Sequence, residues 1–190
     1  MKGEFTRKDL QEMQSSRELL KIEWPPCRMA CPVHADVRGY IELIAKGKYR
    51  QALELIREVL PFASVCGRIC HHPCEQNCRR SCIDQEIPIR DLKRFVAEYP
   101  FEDKPEYSPP EQNREKVAVV GAGPAGMTAA FDLALRGFLP VVFDEHEIPG
   151  GILASAIPTY RLPRDVIRLD TDFILAHGVE FRGPVKIGKD

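Results

Sequence analysis

The seven cysteines are the densest group of reactive side chains in this 190-residue sequence, and all of them lie before residue 83. Five recur at every fourth residue, and two lie upstream in a Cys-x3-Cys-Pro segment. Thiolates are soft ligands that bind zinc ions and iron–sulfur clusters. The candidate metal ligands are Cys27, Cys31, Cys66, Cys70, Cys74, Cys78 and Cys82. The pattern therefore predicts a metal centre in the first half of the chain.

Four interpretations compete for these thiols. Disulfides rarely persist in a reducing cytosol, and an odd number of cysteines would leave one thiol unpaired. Zinc sites usually join short Cys-x2–4-Cys hooks across a loop, and cysteines of a plain apolar core need no metal. The sequence favours an iron–sulfur cluster, because Cys27-x3-Cys31-Pro32 reproduces the end of the bacterial ferredoxin motif. The complete ferredoxin motif is absent.

The four-residue spacing would place the thiols along one face of a continuous helix. Pro73 lies in the middle of the run, however, and the residue before a proline is pushed away from helical angles. The run is therefore predicted to fold as short helical turns around a bend. Such a bend would direct several thiols toward common points, as a metal cluster requires.

Three amphipathic helices are predicted to position the cysteines. They cover residues 36–46, 48–60 and 88–99, where apolar residues recur with helical periodicity. Asp36 is the expected N-cap of the first helix, and Pro61 ends the second. The third helix is expected to face the cluster with Ile89, Leu92, Phe95 and Val96.

A second chemical motif, Gly-Ala-Gly-Pro-Ala-Gly, occupies residues 121–126. It follows an apolar run at residues 117–120, which predicts a buried parallel strand, and precedes a helix expected to reach Arg136. Glycines in this position form a tight turn that brings the backbone and a helix N-terminus to a pyrophosphate. The expected dinucleotide-binding residues are Gly121, Ala122, Gly123, Pro124, Ala125 and Gly126.

An acidic residue, Asp144, ends the second predicted strand eighteen residues after Gly126. Its carboxylate would accept hydrogen bonds from a ribose hydroxyl, and its charge would repel a 2′-phosphate. FAD or NAD therefore fits this site better than NADP. A glycine turn in a fold that binds no nucleotide is the competing interpretation.

The residues that follow are further candidates for the same site. Glu145 is adjacent, and the pair Gly150 and Gly151 would let the backbone approach a ligand, with a flexible loop as the alternative. Arg161 would pair with a phosphate or lie on the surface. His146 is expected to be a surface or capping residue without a functional role.

Composition and charge are those of an ordinary globular protein, with 44% hydrophobic residues, 29% charged residues and a net charge of −1. Basic and acidic residues are interleaved, so nothing indicates a nucleic-acid partner. No apolar run is long enough to cross a bilayer, and the first residues lack the apolar segment of a signal peptide. We expect a cytoplasmic protein without membrane insertion.

The sequence divides into two parts. Residues 1–99 are predicted to form an all-helical domain that binds the metal centre. Residues 100–116 are rich in proline and acidic residues and predict an extended linker. Residues 117–190 follow the strand, turn, helix, strand order of a βαβ unit. The expected fold class is α + α/β, an all-helical domain followed by a Rossmann-like one.

These stretches together resemble a family of iron–sulfur flavoprotein oxidoreductases. Its members include the small (beta) subunit of glutamate synthase and the N-terminal part of dihydropyrimidine dehydrogenase. The resemblance rests on CRMACP at residues 27–32, YIELIAKGKY at 40–49, VCGRICHHPCE at 65–75, IRDLKRF at 89–95, VVGAGPAG at 119–126, GGIL at 150–153 and IPTYRLP at 157–163. It spans nearly the whole chain from Cys27 onward.

The resemblance implies two 4Fe–4S clusters in the helical domain, followed by an FAD domain into which an NAD(P)H domain is inserted. By this resemblance one cluster matches Cys31, Cys70 and Cys74, the other matches Cys27 and Cys78, and Cys66 and Cys82 remain to complete the sets. Relatives with two full clusters carry a Cys-x2-Cys segment upstream of Cys27 that this sequence lacks. One cluster is expected, and a second would need a non-cysteine ligand, another pairing or a bridging cluster type.

Family members continue for several hundred residues past the position of Asp190. Residues 117–190 would then form only the first βαβ part of an FAD-binding domain, in a fragment or in a subunit completed by another polypeptide. The resemblance implies electron transfer between NAD(P)H, FAD and 4Fe–4S clusters, delivered to a larger partner oxidoreductase. A non-catalytic electron-relay subunit is the alternative. No side chain is expected to act as an acid, a base or a nucleophile, so no catalytic residue is assigned.

Overall fold

The first part of the chain is a group of short helices around one apolar core. The computed structural model describes residues 24–102 and 115–188, so the expectations for residues 1–23 and for most of the linker lie outside it. The helices are α1 (Pro26–Ala30), α2 (Val37–Ala45), α3 (Tyr49–Arg57), α4 (Ala63–Ile69), α5 (Pro73–Gln76) and α6 (Ile89–Ala97), with a 3-10 turn at Arg79–Cys82. The predicted all-helical class of this part is confirmed.

The cysteine run bends as its proline predicts. Helix α4 ends at Ile69, and its C-cap residue Cys70 has an extended backbone with φ −62° and ψ 137°. His72 then adopts a left-handed conformation with φ 48°, and Pro73 begins helix α5. Non-glycine residues rarely have a positive φ, so the bend is a specific feature of this segment. Two short helices and the 3-10 turn therefore replace one continuous helix.

Helix α2 confirms its predicted cap, because the Asp36 carboxylate accepts a hydrogen bond from the Gly39 amide at 3.1 Å. Helix α6 differs from its prediction in the face that it buries. Ile89 and Val96 point inward as expected, but Phe95 is 46% exposed and Lys93 is only 9% exposed. The expectation that Phe95 faces the cluster is therefore wrong, and a cation lies on the buried face instead.

The second part of the chain is a parallel three-stranded sheet with helices packed against it. Its elements are β1 (Lys116–Val120), α7 (Pro124–Leu135), β2 (Leu139–Phe143), α8 (Ile152–Ser155), α9 (Arg164–Ala176) and β3 (Glu180–Arg182). The strand order is β1–β2–β3, which confirms the predicted βαβ unit. The expected burial of β1 is wrong: it pairs only with β2 among the described strands, and Val120 is 67% exposed.

Helix α4 belongs to both parts of the molecule. Ala63 packs in the helical core, whereas Phe62 and Val65 pack in the core of the Rossmann-like part. Residues of α9 such as Val166 and Ile174 complete this second core. The helix that carries Cys66 is therefore held between the two parts rather than inside one of them.

Asp170 of helix α9 caps the N-terminus of helix α4 across this contact. Its side chain is fully buried and accepts hydrogen bonds from the amides of Ser64 at 3.2 Å and Val65 at 2.9 Å. Burial raises the pKa of Asp170 to about 6, although these hydrogen bonds and the charge of Arg57 act in the opposite direction. The Arg57 guanidinium lies 3.7 Å from the Asp170 carboxylate and 3.7 Å from the centre of the Phe173 ring. A buried charge and a cation–π contact therefore join the two parts.

The described helices are short. The longest, α9, has 13 residues, and no helix in the described ranges is long and apolar enough to cross a membrane.

Candidate iron–sulfur and nucleotide sites

Four cysteines from three chain segments are linked electrostatically, because Cys31 and Cys70 both act on Cys66 and on Cys74. Burial raises the pKa of the Cys66 thiol to about 11, and the charges of Cys70 and Cys31 act in the same direction. Burial likewise raises the pKa of the Cys74 thiol to about 11, again with contributions from Cys70 and Cys31. We call Cys31, Cys66, Cys70 and Cys74 the four-thiol site.

A buried tyrosine lies beside the four-thiol site. Tyr40 of helix α2 is 2% exposed. Burial raises the pKa of its hydroxyl group, and the charges of Cys74, Cys31 and Cys27 raise it further. The predicted bend thus brings the thiols against the apolar core of the helical part, where water is scarce.

Cys27 and Cys78 form a second pair of neighbours. Burial raises the pKa of Cys27, and the charge of Cys78 adds to the effect, although backbone hydrogen bonds oppose it. Cys78 is buried, whereas Cys82 is exposed in the 3-10 turn. The family resemblance implies the same two groups, Cys31 with Cys70 and Cys74, and Cys27 with Cys78. Cys66 lies beside the first group.

Backbone and side-chain hydrogen bonds fix the bend around Cys70. The amide of His72 donates a hydrogen bond to Cys70 Sγ at 3.3 Å. The Glu75 carboxylate accepts a hydrogen bond of 2.7 Å from the amide of Arg90, which ties α5 to the start of α6. Amide donors to sulfur are among the features that set the reduction potential of an iron–sulfur cluster.

Lys93 is a residue of this site that sequence reasoning missed. It lies on the buried face of α6, and its positive charge lowers the pKa of both Cys66 and Cys74, against the larger effect of burial. A lysine within an amphipathic pattern is normally assigned to the solvent side. The spacing could have indicated its burial. Lys93 lies four residues after Ile89 and three before Val96, so it shares a helix face with these two buried residues.

The donor set fits an iron–sulfur cluster. Cys31, Cys70 and Lys93 each act electrostatically on both Cys66 and Cys74, and the Cys70 sulfur accepts an amide hydrogen bond. Within residues 24–102 and 115–188, no three His, Cys, Asp or Glu side chains lie close enough to hold a single metal ion.

The glycine turn has the geometry that its motif predicts. Gly121 has φ +101°, a conformation that side chains disfavour. A Cβ atom on Gly126 would collide with the carbonyl oxygen of Gly121, so only glycine lets α7 pack against the turn. A Cβ atom on Gly123 would meet nothing within 4 Å, so the backbone here faces open space at the helix N-terminus.

Asp144 lies at the end of β2 beside this turn. Its carboxylate accepts hydrogen bonds from the amides of Ala122 at 2.7 Å and His146 at 2.9 Å, and lies 2.7 Å from His146 Nδ1. Burial raises the pKa of Asp144, but these hydrogen bonds outweigh it and hold the pKa below its ordinary value. His146 is exposed, as expected of a surface or capping residue, and its contacts hold the Asp144 carboxylate in place.

A cleft of about 360 Å³ opens at the carboxyl ends of β1 and β2. It is lined by Val120, Gly121, Phe143, Asp144, Glu145, His146, Gly151, Ile152, Ser155, Val185, Lys186 and Ile187. Ligands of parallel α/β sheets bind at this edge of the sheet. The geometry thus brings the glycine turn and the acidic residues of the second strand to one cavity.

The other predicted residues have different surroundings. A Cβ atom on Gly151 would lie 2.8 Å from the Cα atom of Gly123, so Gly151 packs against the first turn as well as lining the cleft. Gly150 is buried, and its amide donates to the carbonyl of Ala122 at 2.8 Å. Arg161 is exposed and does not line the cleft.

Comparisons with protein families match both parts of the chain. The family described as dihydropyrimidine dehydrogenase domain II, 4Fe-4S cluster, matches residues 3–105. The family described as NAD(P)-binding Rossmann-like domain matches residues 119–185. The order of the two matches follows the order of the helical and Rossmann-like parts in the fold.

Individual relatives are subunits of oxidoreductases. The chain is 39% identical to the NADP(+)-dependent formate dehydrogenase subunit beta of Moorella thermoacetica, over 87% of this chain and 27% of the relative. It is 41% identical to the NADPH-Fe(3+) oxidoreductase subunit beta of Geobacter sulfurreducens, over 87% and 25%. It is 33% identical to the glutamate synthase [NADPH] small chain of Escherichia coli, over 87% and 36%. The chain thus spans about a quarter to a third of the length of these relatives.

Proposed function

Because the chain belongs to the family of dihydropyrimidine dehydrogenase domain II, 4Fe-4S cluster, and continues into a Rossmann-like domain, we propose that it is the cluster-bearing and flavin-bearing part of an NAD(P)H-dependent oxidoreductase. The observation that carries this proposal is the helix α4. It brings Cys66 into the four-thiol site and also packs in the core of the domain that holds the glycine turn. Both sites therefore lie in one continuous packed structure.

The four-thiol site holds one 4Fe–4S cluster in this proposal. Cys31, Cys66, Cys70 and Cys74 are its ligands in this proposal, since Cys31 and Cys70 each act electrostatically on both Cys66 and Cys74. Cys27 and Cys78 are a partial ligand set for a further centre, and Cys82 is the exposed thiol nearest to them in sequence. Such clusters pass single electrons.

The cleft at the sheet edge holds the diphosphate and adenosine ribose of FAD. Gly121, Gly123 and Gly126 form the turn, with Ala122, Pro124 and Ala125 between them. The Asp144 carboxylate has about four lone-pair sites, so hydrogen bonds from Ala122 and His146 leave room for a ribose hydroxyl. Glu145, Gly150 and Gly151 border this site, and Arg161 lies outside the cleft. Bound FAD would accept a hydride from NAD(P)H and release electrons singly.

The electron acceptor is a larger partner oxidoreductase subunit or the remaining part of a longer polypeptide. The chain offers the residues that bind, orient and shield the redox groups. No group in this proposal acts as a general acid, base or nucleophile.

We expect NADPH or NADH to bleach the flavin absorbance near about 450 nm when it is added anaerobically to the purified protein, because hydride transfer removes the oxidised flavin. Protein carrying the Gly123→Ala substitution, which is expected to bind less flavin, serves as the flavin-depleted control. If neither nucleotide reduces the flavin, although dithionite still does, the flavin does not accept hydride from NAD(P)H. That result would favour the alternative, a non-catalytic electron-relay subunit.

A further inference from the structure

Lys93 is a buried cation for which the described structure provides no carboxylate. It is 9% exposed, and Lys93 and Asp170 are the two buried side chains among the acidic and basic residues of the described ranges. Asp170 has Arg57 and two backbone amides as partners. No ion pair or hydrogen bond joins Lys93 to another described residue. Lysine side chains are rarely buried without a partner, and the charge of Lys93 acts on the thiols of Cys66 and Cys74, so an anion held by these thiols would be its counter-charge.

The packing of α6 directs Lys93 toward the four-thiol site. Helix α6 packs closely against α4 at Arg94, the residue after Lys93. A Cβ atom on Gly67 of α4 would lie only 2.8 Å from the Arg94 Cα atom. At its first turn, α6 is tied to α5 by the Glu75–Arg90 hydrogen bond. Gly67 follows Cys66, and Glu75 follows Cys74. Lys93 therefore lies between the points where α6 contacts α4 and α5, and its charge acts on a thiol of each helix, Cys66 and Cys74.

We propose that Lys93 is the counter-charge of the iron–sulfur centre, a positioning residue that helps retain the cluster and raises its midpoint potential. The inference rests on the proposed function, because it takes the anion to be a cluster bound by thiolates. Such a cluster carries negative charge, which increases on reduction. A nearby ammonium group in a region of low dielectric constant stabilises the reduced form more than the oxidised form.

The test replaces Lys93 in the full protein, purified anaerobically, and follows the midpoint potential by electron paramagnetic resonance during a dithionite titration. Lys93→Met removes the charge at similar volume and is expected to lower the potential. Lys93→Arg keeps the charge and is expected to stay near the wild-type value. Arg94→Met removes an exposed cation from the same helix, and we expect no shift, because solvent screens that charge.

Thermal unfolding without the cluster gives an independent readout. After removal of iron by a chelator, Lys93 is buried without its counter-charge, so Lys93→Met should raise the melting temperature of the cluster-free protein. In the loaded protein that gain should disappear or reverse. A merely structural lysine would give shifts of the same sign in both states.

The outcomes separate this inference from the proposed function. Wild-type protein without iron and sulfide would refute the cluster itself. Loaded Lys93→Met protein with an unchanged potential would overturn only the role of Lys93. If the methionine variant does not fold, Lys93→Gln supplies the same comparison with a neutral polar side chain.

Discussion

Replacing Asp170 with alanine is expected to lower the free energy of unfolding by about 3–5 kcal/mol, the range observed when one member of a buried ion pair is removed. The substitution leaves the amides of Ser64 and Val65 without an acceptor and Arg57 without its carboxylate. Each unsatisfied buried donor costs roughly 1–3 kcal/mol. Urea denaturation followed by circular dichroism measures the change.

Asp172→Ala is the matched control, because Asp172 is an exposed acidic residue on the same helix, α9. Its effect should stay within about 0.5 kcal/mol, as for most surface substitutions. Equal effects of the two substitutions would show that the cap of helix α4 does not stabilise the contact between the two parts. Asp170→Ala should also reduce the iron content, since α4 carries Cys66.

Gly123→Ala is expected to reduce bound flavin by at least about tenfold, equivalent to roughly 1.4 kcal/mol of binding free energy. Gly123 has φ −70° and ψ 177°, which alanine adopts without strain, and its Cβ atom would enter open space. That space is where the diphosphate must approach the backbone. Flavin per chain, measured by absorbance after gel filtration, gives the result, and the melting temperature of the apoprotein should not change.

Gly126→Ala is the contrasting variant in the same motif. Its Cβ atom would collide with the carbonyl of Gly121, so the helix must move away from the turn. Overpacking of this kind costs about 1–3 kcal/mol, so stability should fall together with flavin binding. A Gly123→Ala protein that retains its full flavin content would contradict the placement of the diphosphate at this turn.

Local chemistry made the two motifs predictable from the sequence. Pro73 forbids a continuous helix through the cysteine run, and the structure bends there. Gly121 and Gly126 have a steric requirement that belongs to the turn itself. The cap at Asp36 is equally local, because its partner Gly39 lies three residues away. Such features depend on neighbours in sequence, so a single sequence contains them.

The features that the sequence did not reveal depend on contacts between distant segments. Asp170 caps a helix more than 100 residues away, and nothing near Asp170 indicates that partner. Lysine is rarely buried, and Lys93 had no predicted role, yet its side chain is buried and its charge acts on the thiols of Cys66 and Cys74. Phe95 was assigned to the core by its hydrophobicity, but it packs edge-on with Tyr49 near the surface, with ring centres 5.2 Å apart.

The face of helix α7 shows the same limit. Met127, Ala130 and Ala134 are buried in the Rossmann-like core, whereas Ala125 is exposed. Alanine occupies both faces of this helix, so its apolar pattern does not define which side packs on the sheet. The sheet decides the orientation, and the sheet is formed by segments on either side of the helix.

The most direct test of the account is the iron and acid-labile sulfide content of the protein purified without oxygen. One cluster in the four-thiol site predicts about four irons and four sulfides per chain, with loss of both in Cys70→Ser protein and retention of both in Cys82→Ser protein. A fresh anaerobic preparation that holds neither iron nor sulfide, or that holds zinc in their place, would contradict it.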